Sequence, residues 1–119
     1  MRRVITAVSM LAVILFMSVP VKAESIAFIS AFPGLNYNGT TATCSLEVYA
    51  GHSTDSIEAT VTLKCGSTTI AQWNNLTANG YMNFSDTATV SHGLSYTMHV
   101  TLKVNGQSYN VSDITKICP

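Results

Sequence analysis

The chain has 119 residues, six Lys and Arg against six Asp and Glu, and charged side chains at only 10% of positions. That balance excludes the basic footprint which neutralises nucleic-acid phosphates, and the length leaves room for one hydrophobic core and not two. Few charges beside abundant Ser, Thr and Asn would suit disorder, but apolar residues recur at even spacing along most of the chain and call for a packed domain.

Arg2 and Arg3 precede an apolar run from Val4 to Val19, Pro20 ends it, and Val21-Lys22-Ala23 offers the small side chains a signal peptidase accepts. Residues 1–23 therefore read as a helical, cleavable signal peptide, cut between Ala23 and Glu24. The run is shorter than the ~20 residues that cross a bilayer, so no stable membrane span is expected once the leader is gone. No Cys lies near Ala23 to take a lipid, and Ile117-Cys118-Pro119 carries no anchoring signal. The expected location is extracellular, either released or associated with a cell surface. The remaining residues, 24–119, form a single domain. Because the leader holds Arg2, Arg3 and Lys22, the domain keeps three basic residues, Lys64, Lys103 and Lys116, against six acidic ones, a net charge of −3.

After Ala23 the residues alternate in short stretches bounded by Gly and Asn, as half-buried strands do when successive side chains point to opposite faces. The alternation predicts seven strands and no helix: 25–31, 41–50, 57–65, 68–73, 81–90, 95–104 and 107–117. In the second, Ala42, Cys44, Leu46, Val48 and Ala50 share one face. In the third it is Ile57, Ala59, Val61, Leu63 and Cys65. Met82, Phe84, Ala88 and Val90 line the fifth, interrupted by Asp86, and Tyr96, Met98, Val100, Leu102 and Val104 line the sixth. Asn-Gly suits the positive φ angles of tight hairpins and occurs at Asn38-Gly39, Asn79-Gly80 and Asn105-Gly106. Another turn falls at Cys65-Gly66-Ser67. Seven short strands at this spacing suit a two-sheet antiparallel β-sandwich.

A more specific sign lies in Val90-Ser91-His92-Gly93-Leu94-Ser95-Tyr96. Gly93 three residues before an inward Tyr96 at a strand start is the arrangement of a tyrosine corner, where the phenol bonds back to the preceding loop. With Cys44 in the second strand, Ile57 to Leu63 in the third and Trp73 after it, the chain resembles immunoglobulin-like and fibronectin type III-like domains. More narrowly, it is similar to small secreted β-sandwich proteins of Gram-positive bacteria over nearly all of residues 25–117. The resemblance implies an immunoglobulin-like sandwich and carries no activity. Met98 stands where an antibody domain has its second bridging Cys, so the central inter-sheet disulfide is not expected.

Three cysteines in an exported chain permit one bridge and one odd thiol. Cys44 lies ten residues before Thr54 and Cys65 ten after Asp55, so a return about that loop brings both to one end, where the last strand also delivers Cys118. The first expectation is a Cys44–Cys65 bridge with Cys118 as the odd thiol. Pairing of either with Cys118, three reduced thiols, or a spare thiol linked to a partner are the alternatives.

His52, His92 and His99 fall in two separate loops and on an outward strand face, without the spacing that grips zinc, and no metal or cofactor is expected. Gly51-His52-Ser53-Thr54-Asp55 holds Ser, His and Asp, but adjacency in a loop supplies neither an oriented base nor an oxyanion site. The chain is not expected to be an enzyme. If the second and fifth strands pair antiparallel, Tyr49 and Tyr81 come together facing solvent, as a ligand contact or as a cross-strand pair that stabilises the sheet. The sequence thus points to a monomeric, non-enzymatic binding module for an extracellular protein or glycan. The alternatives are an enzyme inhibitor or effector presenting loop 51–56, and a structural component of the cell envelope.

Overall fold

The structure, a computed structural model, describes residues 29–119. The expected leader with its cleavage point at Ala23 and Glu24 lies outside the described residues, as does the first part of the strand expected at 25–31. Among the described residues eight strands form: β1 Ser30–Asn38, β2 Thr41–Tyr49, β3 Ser56–Cys65, β4 Thr68–Asn79, β5 Tyr81–Thr89, β6 Ser95–Val104, β7 Gln107–Tyr109 and β8 Ile114–Ile117. They make two antiparallel sheets, one of order β1-β2-β5 and one of order β4-β3-β6, with β7 and β8 both pairing the free side of β6. The architecture is all-β and two-layered, consistent with a β-sandwich.

The alternation read from the sequence explains the core. Cys44, Leu46 and Val48 of β2, Ile57, Val61 and Leu63 of β3, and Met98, Val100 and Leu102 of β6 are all at most 3% exposed. Each fully buried aliphatic side chain of this size contributes roughly 1.5 to 3 kcal/mol of burial free energy, and these residues come from both sheets. The core is the interface between them.

Three elements differ from the expectation. Among the described residues the first strand runs from Ser30 to Asn38, well past the bound expected at 31, because Pro33 and Gly34 do not break it. β1 is an edge strand, and a proline without an N–H is tolerated there because its ladder is one-sided. The fourth strand continues past Trp73 to Asn79 by inserting extra residues opposite β3, between Ala59 and Val61 and between Leu63 and Lys64. Asn75 takes a left-handed φ of 57° near the first of these bulges. The last expected strand is split, since six residues from Tyr109 to Ile114 face five on β6, Leu102 to Met98. Asp113 leaves the ladder and sets its carboxylate 2.7 Å from His99 Nδ1.

Asn79-Gly80 also differs, because β4 and β5 belong to different sheets and the pair makes a crossover rather than a hairpin. Gly80, at φ +76°, donates its N–H to the Asp55 carbonyl at 2.8 Å and accepts the Ala50 N–H at 2.9 Å. Asn105 and Gly106 both take positive φ, as a tight β6–β7 turn requires.

The open sides of the sandwich are closed by polar contacts. On one side Asp86, the charge that interrupts the inward pattern of β5, accepts the Trp73 indole N–H at 2.9 Å while Trp73 and Phe84 pack with ring centroids 5.5 Å apart. An inward-pointing charge on an edge strand also discourages pairing with another chain. On the other side Tyr37 donates its hydroxyl to the Lys116 carbonyl at 2.7 Å, and Lys116 Nζ returns a bond to the Leu35 carbonyl at 2.8 Å. These bonds tie β8 to β1 across the layers.

Candidate functional site: the outer face of the three-stranded sheet

The register of the small sheet places Tyr49 directly opposite Tyr81. Period-2 alternation turns both outward, because their neighbours Val48 and Met82 face the core. The ring centroids lie 4.9 Å apart with planes inclined by 40°. A third ring joins them from β1: Phe32 meets Tyr49 edge-on at 6.0 Å. All three are large and open, Phe32 57%, Tyr49 44% and Tyr81 42% exposed. No element covers this face among the described residues.

Phe32 is the residue that the sequence reading missed. It sits in Phe32-Pro33-Gly34, just beyond the strand expected at 25–31. A signal was nonetheless present, since Ile29, Ala31, Pro33, Leu35 and Tyr37 alternate and place Phe32 on the opposite face. Leu35 is 1% exposed, as the inward set demands.

The rings are held in place. Tyr81 donates its hydroxyl to Glu47 at 3.2 Å, and Glu47 lies in the next outward row, aligned with Phe32 on one side and Asn83 on the other. Desolvation and then the Glu47 charge push the Tyr81 phenol above its ordinary value of 10.0, so it remains a donor throughout the physiological range. One row further lie Gly34, Ser45 and Ser85. A Cβ on Gly34 would stand 2.6 Å from Ser45 Oγ, so the serine hydroxyl leans over the glycine and the row is shallow. The arrangement offers ring faces, hydroxyls, a carboxylate and an amide on one surface. It can stack and hydrogen-bond; it holds no nucleophile with an oriented base.

Loop 51–56 lies at the same end of the molecule and is firmly anchored. Asp55 accepts the His52 N–H at 2.9 Å and the Asn105 side-chain amide at 3.0 Å, while Asn105 Oδ1 accepts the Ser56 N–H at 2.9 Å. The Asn105 bond, followed by those from His52, holds the Asp55 carboxyl below its ordinary value. His92 binds the Pro119 carbonyl through Nδ1 at 2.6 Å, at the opposite end. The three histidines are thus kept apart, and among the described residues no three His, Cys, Asp or Glu side chains gather as metal ligands would.

Tyr96 is 3% exposed, and its phenol oxygen accepts the Ser91 N–H at 2.8 Å. Gly93, at φ +85°, donates to the Cys118 carbonyl at 2.7 Å, and Cys118 donates its N–H to the Leu94 carbonyl at 2.9 Å. Loop 91–94 and the C-terminus therefore close one end of the sandwich together.

The cysteines are all free thiols, and the Cys44–Cys65 bridge expected from spacing is not formed. Equal distance from loop 51–56 along the chain is not equal depth in the fold. Cys44 lies five residues inside the loop end of β2, whereas Cys65 lies nine inside β3. At about 3.3 Å per residue the four-residue difference is about 13 Å along the strands, beyond the about 7 Å Cα separation a disulfide tolerates. Cys118 is wholly buried and directs its Sγ to the Gly39 carbonyl at 3.4 Å, so it is a packed end rather than an accessible odd thiol. Burial, then the neighbouring Asp86 charge, pushes the Cys44 thiol up to about 11. Thiol labelling at about pH 8 is therefore expected to reach only half-buried Cys65 in the folded protein, and all three after unfolding without reductant. A single reactive thiol in the unfolded state would mean that two sulfurs had been joined.

Compared with known protein families, curated proteins and solved structures, the chain matches none.

Proposed function

We propose that the protein is a non-enzymatic extracellular binding module, an immunoglobulin-like sandwich acting as a monomer, whose contact surface is the outer face of β1, β2 and β5. The observation that carries this reading is the set of three touching rings, Phe32, Tyr49 and Tyr81, each more than 40% exposed on an uncovered face. A cross-strand pair suffices to stabilise a sheet; a third ring from the edge strand extends the cluster into a platform. Large aromatics presented by rigid strands give contact area at low conformational cost, which suits them as binding anchors. The signal peptide read from residues 1–23 supports export.

A second reading has support of its own. Loop 51–56 projects His52, Ser53 and Thr54 into solvent from a backbone fixed by Asp55, Asn105 and Gly80, the form in which an inhibitor presents a recognition loop.

One experiment separates them. Tyr49→Ala with Tyr81→Ala is expected to weaken retention on envelopes of the producing cells roughly 30-fold, about 2 kcal/mol. The fold should lose only about 1 kcal/mol, the scale of an exposed aromatic pair. Retention unchanged by that double substitution, but lost on replacing His52 and Thr54, would transfer the function to the loop.

A further inference from the structure

We propose that the ligand of this face is a neutral glycan, a proposal that rests on the reading of the aromatic platform as the binding surface. The inference comes from what surrounds the rings. Along β1, β2 and β5 there is no Lys or Arg, and the one outward charge is the Glu47 carboxylate. An anionic polymer would meet no counter-charge there and one like charge, so phosphate-rich, sulfated and uronic-acid chains are disfavoured. A lipid surface is disfavoured for the same lack of basic residues.

A protein partner is a poorer match for another reason. Protein interfaces set an apolar centre within a polar rim. Here the three rings stand at one end of the face, and the outward rows beyond them hold only Gly34, Ser45 and Ser85, then Asn36, Thr43 and Thr87. The surface is therefore an aromatic end continued by a flat shelf of hydroxyls and amides. A pyranose ring has the complementary form, with an apolar C–H face and hydroxyls around its rim. The weakly positive C–H groups are attracted to the negative face of an aromatic ring. The rim hydroxyls meet Glu47 and Asn83 beside Phe32, and further sugar units of an extended chain lie along the shallow row at Gly34. The Tyr81 to Glu47 bond keeps a ring and an acceptor in register before any ligand arrives.

The test uses the protein as recovered from producing cells and measures its retention on their isolated envelopes. Envelope material is digested with protease and separated on an anion exchanger, and the peptide, anionic saccharide and neutral saccharide fractions are each used as competitors. The expected result is displacement by the neutral saccharide fraction, retention on protease-treated envelopes within twofold of untreated ones, and little change from low to molar salt. Competition by the peptide or anionic fraction alone, or by none, overturns the glycan as ligand. The double substitution at Tyr49 and Tyr81 is run in parallel. If it loses retention while only the peptide fraction competes, the surface stands and the ligand class falls; if it keeps full retention, the surface itself falls.

Discussion

Gly80→Ala is expected to destabilise the protein by about 2 to 4 kcal/mol, through a clash that local rotation of a side chain cannot relieve. The added Cβ would stand 2.7 Å from Ser53 Cα and 3.0 Å from the Ser53 carbonyl oxygen, so backbone must move. The left-handed φ of +76° adds a conformational cost of about 1 to 2 kcal/mol for any L side chain. Displacing Ser53 also loosens the bonds from Gly80 to Asp55 and from Ala50 to Gly80, each contributing about 0.5 to 1.5 kcal/mol. Gly39→Ala is the control, because Gly39 shares the positive φ and its Cβ would meet nothing within 4 Å. Urea unfolding should show the Gly39 variant losing only the conformational part. Equal losses at the two sites would mean that loop 51–56 does not rest on the β4–β5 crossover.

Leu63→Ala is expected to cost about 2 to 5 kcal/mol, the range for emptying a close-packed core position. Leu63 has no exposed surface and lies on β3, the strand flanked by β4 and β6, with Ala71 and Met98 as its neighbours in the ladder. For a domain of this size such a loss is a large part of the total stability. Leu94→Ala, at a residue 46% exposed in the loop before β6, should shift the midpoint by no more than about 0.5 kcal/mol. Thermal or urea midpoints of the two variants make the comparison, and similar losses would contradict the placement of the core between the sheets.

The elements that were legible in the sequence are those whose alternation keeps one parity along the strand, as β5 does through Asp86. β2, β3, β5 and β6 lie within a residue of their expected bounds because each buries one face and exposes the other, and a slip by one residue would turn every side chain inside out. The elements misread are those where punctuation residues sit inside a strand. Pro33 and Gly34 hid β1 although the apolar positions around them kept a period of two. Asn74-Asn75 hid the second half of β4 because a bulge absorbs them, and the break at Asn110 to Asp113 was invisible because Tyr109 and Ile114 are apolar on either side.

The same logic divides the candidate site. The Tyr49 and Tyr81 pair followed from parity and an antiparallel β2–β5 pairing, whereas Phe32 required recognising β1 first. Asp86 read as a fault in an inward face, and only the approach of β4 to β5 across the two sheets reveals Trp73 as its donor. The cysteines show the reverse error, since counting residues from a loop measures chain length and not depth along two strands of different start.

Backbone amide NMR shifts of the folded protein, followed while soluble envelope fragments are added, test whether the outer face of β1, β2 and β5 is the binding surface. Perturbations are expected to centre on Phe32, Glu47, Tyr49, Tyr81 and Asn83, with the outer face of the larger sheet unmoved. Perturbations confined to His52 through Asp55, or spread over β4 and β6, would contradict that assignment.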